Sequence, residues 1–403
     1  MKKEATLQRS LGLLEVTVAG VGIILGAGIY ALIGIAVGST GNALWLAFLF
    51  AAFLSAFTGL SYASLATTFS SDAGEYDYAE HIFNKKVAWV VGILVIATGF
   101  MSAATVALGF GNYLHAIIGG STVYLALAIL IICTLVNLKG IKASSTLNII
   151  CTIIEAAGLL FIIGFGMKTL GNVNYLEMVT GLKGIFEATA LIFFAYMGFE
   201  SIVKLSEETK DPHKTIPKAL ILSVIISAII YILVAFIAVS VIPWQDLHAS
   251  KAPLATVASA LVGSNAFLAL AIIALFSTAN TVLVSLVTTS RLIYGMAKKR
   301  GLPKILSYIN PTTKTPWIAI IILTVITALF IFIDDIGFVA NLNDIFLFIT
   351  FGVVNLANIV LTYRQPQRKG FVTPGNIGKY STISILGLLV SLFMLFYAFH
   401  NVF

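Results

Sequence analysis

Five carboxylates of this sequence, Glu15, Glu155, Glu187, Glu200 and Asp344, stand within or beside long apolar runs. An acid in such surroundings is expensive to charge, so each is a candidate for binding a proton or a cation. Glu155 is the sharpest, because it lies in N-I-I-C-T-I-I-E-A-A-G with no other charge between Lys142 and Lys168. Such a group can take up and release a proton near neutral pH, or stay ionised and ligate a cation. The plainer alternative is a neutral glutamate hydrogen-bonded to a neighbouring helix. Glu15 and Glu187 fall near the ends of their runs, where a solvated or helix-capping role suffices. Asp344 precedes a long apolar run and suits a pairing or helix-start role.

A second kind of chemistry is written in the backbone. Gly20 to Gly34 reads G-V-G-I-I-L-G-A-G-I-Y-A-L-I-G, apolar enough for a bilayer yet holding five glycines. Each weakens a helix by about 1 kcal/mol relative to alanine. In hydrocarbon, broken backbone is tolerated only where it is buried in protein or lines a cavity, since freed N–H and C=O groups otherwise lack partners. A ligand site inside the membrane follows; a close-packing helix face is the alternative. A second interruption is expected in F-F-A-Y-M-G-F-E at Phe193 to Glu200. Phe193, Phe194 and Phe199 flank it, and with 28 phenylalanines in the chain, plain packing is their competing role.

The elements that must position these groups are membrane helices. Of 403 residues 59% are hydrophobic and 10% charged, far below the roughly 25% of a soluble domain. Apolar runs of spanning length fall at 12–36, 43–69, 86–117, 121–138, 144–168, 185–204, 216–242, 264–297, 316–333, 338–363 and 380–401, which makes eleven. Spans three and eight are long enough to require tilt or extension beyond the bilayer. The net charge of +7 does not mark a nucleic-acid binder, because the charges sit in short loops between apolar runs. With the N-terminus inside, all but Lys168, Lys183 and Lys251 of the 24 Lys and Arg residues face the cytoplasm. The C-terminus, His400 to Phe403, is then outside. Lys2, Lys3 and Arg9 precede an apolar run with no convincing cleavage site, so a retained first span is expected. Cys133 and Cys151 lie in apolar stretches and imply packing, not a disulfide framework. The histidines lack metal-ligand spacing, and no P-loop or G-x-S-x-G motif occurs, so neither a metal site, a cofactor, ATP-driven transport nor an enzyme is expected.

The interrupted spans one and six correspond if spans one to five and six to ten form two halves. Five is odd, so the second half is inverted in the membrane, the plan of secondary transporters with paired broken helices. The expected architecture is one all-α transmembrane domain over residues 1–403. It comprises repeat one at 12–168, repeat two at 185–363 and an extra helix at 380–401.

Several motifs carry a resemblance. G-A-G-I-Y at 26–30, G-E-Y-D-Y-A at 74–79, F-F-A-Y-M-G-F-E at 193–200, E-E-T-K-D-P-H-K-T-I-P-K-A at 207–219 and R-L-I-Y-G-M-A-K-K-R-G-L-P at 291–303 resemble the amino acid–polyamine–organocation transporters. The likeness runs from span one through span ten, and it implies a leucine-transporter-like fold. The family usually has twelve spans, and the one this sequence does not show lies outside the ten-helix core. The resemblance implies an amino acid bound at the broken helices, whose half-helix ends offer amides to a carboxylate and carbonyls to an ammonium. The carboxylate is expected on the amides of Gly26, Ala27 and Gly28. The ammonium is expected near the carbonyls of Ile23, Ile24 and Phe193, with Phe194, Ala195, Gly198 and Phe199 completing the site. Bulk at Gly26 or Gly28 would fill the space the carboxylate needs. Glu200 matches an acid position of the family, as a gate or as a brace for the broken helix. The charged loop at 204–219 is expected to latch span six against spans seven and eight.

Proton-coupled relatives often carry a lysine at what looks like the Glu155 position, between spans one, five and eight. A carboxylate there implies either a proton carrier or a cation ligand acting with Gly22, Leu25, Asn280 and Thr281, whose spacing matches the family's cation site. The reading is a secondary active transporter in the cytoplasmic membrane that moves amino acids by alternating access, as a proton symporter. Exchange and sodium symport are the alternatives within transport, and a substrate sensor or channel is the alternative outside it. Its partners are then the amino acid, the coupling proton or sodium and membrane lipid, without nucleic acid.

Overall fold

The fold was analysed in a computed structural model that describes residues 10–69, 74–139, 141–203, 205, 208–368 and 370–402, with backbone alone at 141–149. Lys2, Lys3, Arg9, Lys204, Glu207, Lys369 and Phe403, which entered the charge and loop expectations, lie outside the described residues. The chain is almost entirely helical. The helices are α1 (Leu13–Ile24), α2 (Ala27–Thr40), α3 (Leu44–Thr68), α4 (Glu75–Ile82), α5 (Lys85–Ile118), α6 (Thr122–Lys139), α7 (Ile141–Gly166) and α8 (Gly181–Ile192). They continue as α9 (Phe199–Ile202), α10 (Pro212–Val241), α11 (Trp244–Ala249), α12 (Pro253–Val262), α13 (Ser264–Lys298), α14 (Trp317–Ile331), α15 (Ile336–Arg364) and α16 (Thr382–Val402). Among the described residues β-structure is limited to two isolated bridges, Leu11 with Thr209 and Ile377 with Tyr380.

Nine helical stretches among the described residues are long and apolar enough to cross a membrane. Three further apolar helices, α1, α12 and α14, are shorter. The difference from eleven runs has a local cause. Span one is divided at Leu25 and Gly26, so its halves are short, and α14 keeps only 15 helical residues. At 34 and 35 residues, α5 and α13 extend about 50 Å, well beyond a hydrocarbon core of about 30 Å.

Local signals start these helices. Asn84 Oδ1 accepts the Lys86 and Val87 amides at the head of α5, and Asp335 Oδ1 accepts that of Phe338 at the head of α15. Proline opens α10 and α12, where its missing N–H costs nothing.

The distribution of polarity suits lipid outside and protein inside. On α16, Leu389, Leu392 and Phe396 are exposed, while Ser384 and Ser391 are fully buried. Ser384 lies 2.8 Å from Ser61 of α3 and accepts the Asn358 amide of α15 at 2.7 Å, so α16 is fastened to the bundle by buried hydrogen bonds. Where lipid removes the hydrophobic drive between helices, such bonds and tight packing hold them together.

Candidate functional site

The first break follows from the glycine-rich run. α1 ends at Ile24, Leu25 and Gly26 leave the helix, and α2 starts at Ala27 with Gly26 in an extended conformation at φ −113°. The first amides of α2 have no intrahelical carbonyl to bond. That of Ala27 donates to Thr281 Oγ1 of α13 at 3.4 Å. The second break is built differently. α8 ends at Ile192, Phe193–Tyr196 form a 3-10 turn, and Gly198 sits at φ +112° ahead of the short α9. Only glycine adopts that conformation without strain.

The two breaks are in contact, and each uses a glycine to receive the other. A Cβ on Gly28 would lie 2.5 Å from Ala195 Cα, and one on Gly198 would lie 2.9 Å from the Ile23 carbonyl oxygen. Gly26 differs, with its nearest neighbours 3.7 Å or more from such a Cβ. Of the two glycines assigned to the carboxylate, Gly28 is therefore small because Ala195 presses on it, whereas a Cβ on Gly26 would meet ordinary van der Waals contacts. Tyr231 of α10 joins the breaks from behind: its buried hydroxyl donates to Ile24 O at 2.8 Å and lies 3.0 Å from Ala195 O. The Ile24 carbonyl, expected to meet an ammonium, also accepts the Gly26 amide at 2.7 Å. Ile23, by contrast, is partly exposed.

Glu155 lies on α7 across from the first break and is only 1% exposed. Its carboxyl lies beside the Ser277 hydroxyl of α13, and Glu155 Oε2 and Ser277 Oγ are both buried with no hydrogen bond to any third group among the described residues. One turn along α13, Thr281 donates to the Ser277 carbonyl at 3.1 Å while accepting the Ala27 amide. A single turn of α13 thus spans the distance from the carboxylate to the first break. On the other side, Gly22 packs on α7, where a Cβ would stand 2.7 Å from the Thr152 methyl, and the Tyr30 hydroxyl donates to the Glu155 carbonyl at 2.8 Å. Leu25 and Asn280 are buried in the same region. Spans one, five and eight meet around Glu155.

The aromatic residues of the second break form a packed cluster. Phe193, Phe194 and Phe199 are buried. Phe193 stands 5.2 Å from Phe348 and 5.6 Å from Phe351 of α15, and Phe199 stands 5.4 Å from Phe351. Tyr62 of α3 meets Phe199 edge-on at 6.0 Å and donates its hydroxyl to Glu75 of α4 at 3.1 Å. Glu200 Oε2 accepts the Gly198 amide at 2.8 Å, which braces the left-handed residue of the break. The other acids near helix ends also have local roles. Glu15 accepts the Gly12 amide at the start of α1, and Glu187 lies 3.5 Å from Lys183 and 3.9 Å from His400.

The loop after the second break has a partner beyond those expected. Ser10 and Leu11 donate to Glu208 O, and Lys210 donates to Leu11 O, so the loop is tied to the entry of α1. Two further motifs also meet: Lys299, just past α13, pairs with Asp77 of α4 at 2.7 Å and lies over the Tyr76 ring. Burial lowers the Lys299 pKa, but the hydrogen bond and charge of Asp77 outweigh that and leave it raised.

Tyr231, Ser277 and Tyr62 were not singled out by sequence. Ser277 and Thr281 are spaced i, i+4 and so share a face of α13, a signal that was available. Tyr231 and Tyr62 gave none, being two of 14 tyrosines in apolar runs.

The sequence is also similar to those of known permeases and transporters. The amino acid permease family model matches residues 11–402. The chain is 28% identical to the branched-chain amino acid permease BcaP of Bacillus subtilis, over 97% of this chain and 88% of that one. It is 24% identical to a methylthioribose transporter of the same organism, over 91% of this chain and 84% of that one. It is also 28% identical to the vacuolar cationic amino acid transporter 4 of Arabidopsis thaliana, over 90% of this chain and 64% of that one.

Proposed function

The chain belongs to the amino acid permease family, and we propose that it carries amino acids across the membrane by alternating access, coupled to protons through Glu155. The observation that carries this reading is the meeting of the two broken helices at Gly28 and Ala195, with the buried Glu155 one turn of α13 away. The substrate carboxylate binds beside Gly26, where a Cβ meets no close contact, helped by the favourable dipole of α2, and it replaces Thr281 Oγ1 as acceptor of the Ala27 amide. The ammonium is held by carbonyls at the end of α1 and in the Phe193–Tyr196 turn, and the Phe193, Phe194 and Phe199 side chains close over the substrate. Glu200 holds the second break in shape and moves with it as the site opens.

Glu155 acts through α13. Ionised, it draws the Ser277 hydroxyl as a donor; protonated, it releases it. Either change is passed along one turn to Thr281 and the Ala27 amide at the substrate site, so proton and substrate occupancy are linked. Spans one to five and six to ten move as inverted repeats, with the N-terminus inside and the C-terminus outside. Sodium is the second reading, favoured by the oxygens of Ser277 and Thr281 beside the carboxylate, with Gly22, Leu25 and Asn280 as companions.

The test is accumulation of radiolabelled amino acids in proteoliposomes under an imposed pH gradient, with sodium present or absent, across the twenty amino acids. Saturable accumulation that follows the pH gradient without sodium supports the proposal. Dependence on sodium alone transfers the coupling to that ion, and binding without flux, or flux at channel rates, refutes transport by alternating access.

A further inference from the structure

Asp344 is a second carboxylate in the interior, and nothing above employs it. It is fully buried on α15, and among the described residues it forms no ion pair. Its Oδ1 accepts the Asn343 amide at 3.1 Å, and the same amide donates to Met197 Sδ, at the end of the 3-10 turn of the second break, at 3.2 Å. Asp344 shares a helix face with Phe348 and Phe351, one and two turns on, and these pack on Phe193. The group therefore faces the second break as Glu155 faces the first.

Two further atoms specify what is missing there. Asp344 Oδ2 and Asn343 Oδ1 are buried without a partner among the described residues. Both are acceptors, so the pair lacks a donor. A proton on the carboxyl supplies one and removes an unpaired charge from an apolar setting.

A row of polar side chains runs from the end of the bundle where α8 starts and α16 finishes to Asn341, one turn short of Asp344, and the Asn341 amide donates to Gly337 O at 2.9 Å. Asn341, one turn before Asp344 on the same face, accepts the Asn401 amide of α16 at 2.9 Å. Asn401 also donates to Glu187 O of α8 at 3.1 Å, and the Glu187 carboxylate stands among Lys183 and His400 near the surface. The charged groups at this end of α15 are thus its own N-cap Asp335, Lys183 and Glu187 from α8 and His400 from α16. α5 contributes His115 at its end, whereas α2, α3 and the Phe193–Tyr196 turn carry no charged side chain. Glu200 lies beyond the second break on α9, and the acids of α4 lie at the far end of α15, where Arg364 donates to Ile82 O.

We propose that Asp344 is a second proton-binding site of this transporter, approached from the surface along the polar side chains of Asn401 and Asn341. The site goes beyond the Glu155 reading and stands without it. It also gives α16 a part in the chemistry, since Asn401 is the one member of the row from outside the two five-span halves. Protonation there bears on the second break through Asn343 and Met197, while Glu155 bears on the first.

Infrared difference spectroscopy of the full chain in lipid nanodiscs, stepped in pH, tests the site apart from transport. The protonated-carboxyl stretch contributed by Asp344 is expected to vanish in Asp344→Asn and to persist in Glu155→Gln. Asn401→Leu should keep that band but slow its hydrogen–deuterium exchange by about tenfold or more, because an apolar side chain then closes the polar path. A spectrum unchanged in Asp344→Asn, or exchange at the unsubstituted rate in Asn401→Leu, overturns the proposal. If Asp344→Asn fails to fold, Asp344→Glu takes its place, and a band that does not shift refutes the site. Loss of pH-driven accumulation in Glu155→Gln with the Asp344 band intact concerns only the first carboxylate, so the two readings fail separately.

Discussion

Gly28 and Ala195 touch backbone to backbone: a Cβ on Gly28 would stand 2.5 Å from Ala195 Cα, closer than real Cβ contacts come. The obstacle is main chain, which cannot swing aside as a flexible side chain can. Gly28→Ala should therefore push the broken helices apart and destabilise the protein by about 1–3 kcal/mol, the usual cost of overpacking. Gly26→Ala has room and should leave the thermal unfolding temperature unchanged, while Gly26→Leu keeps the fold and abolishes uptake. Unfolding temperature and uptake measured on the three variants separate packing from binding. A stable Gly28→Ala, or uptake retained by Gly26→Leu, contradicts the assignment.

Tyr231 places one hydroxyl between two carbonyls, Ile24 O and Ala195 O, that belong to different breaks. Tyr231→Phe keeps the ring packing on Phe48 and Tyr196 and removes only the donor. The loss should cost about 1 kcal/mol of stability. Substrate affinity should fall too, because the Ile24 carbonyl loses the bond that aims it. Equilibrium binding of labelled substrate to the purified variant checks this; unchanged affinity would limit Tyr231 to packing.

Glu155→Gln imitates the protonated carboxyl and cannot be charged. Under the proton reading it should retain substrate exchange across proteoliposomes and lose accumulation driven by a pH gradient. Ser277→Ala, which removes the neighbouring hydroxyl without touching the carboxylate, should weaken the pH dependence of uptake while preserving exchange. Accumulation that still follows the pH gradient in Glu155→Gln would remove Glu155 from the coupling.

The Lys299–Asp77 pair offers a prediction in pH. The Lys299 side chain is 48% exposed, so the pair is worth no more than a surface ion pair, about 0.2–1 kcal/mol. Because the folded pKa of Lys299 is raised, that contribution is complete below the ordinary lysine value of about 10.4 and is lost as pH climbs through the folded value. Asp77→Asn should lower the unfolding temperature slightly at pH 8, and the difference from the unsubstituted protein should close under strongly alkaline conditions. A gap that widens with rising pH would contradict the sign.

The sequence by itself determined the class of the molecule and the position of its weak points. Sparse charge and runs of spanning length require helices in lipid, and five glycines between Gly20 and Gly34 mark a run weak enough to break. Glu155 stood out for a similar reason, since a lone acid in a long apolar run has no local explanation. These signals are local in the chain, so composition and spacing carry them.

What only the tertiary structure decided was which groups meet. That Gly28 must be small for Ala195, while Gly26 could carry a Cβ, depends on contacts between residues 167 positions apart along the chain. Thr281 reaches the Ala27 amide across 254 positions, and Tyr231 reaches Ile24 across 207. The loop after the second break was legible as a latch, yet its partner, the entry of α1, was not, because a backbone pairing leaves no mark on side-chain type. Asp344 shows the same limit. Its neighbours in sequence suit a helix start, and only the packing of the bundle buries it and joins Asn341 of its helix to Asn401 and the Glu187 carbonyl. Periodicity fixes the face a residue presents, but contact across helices depends on how those faces are brought together in space.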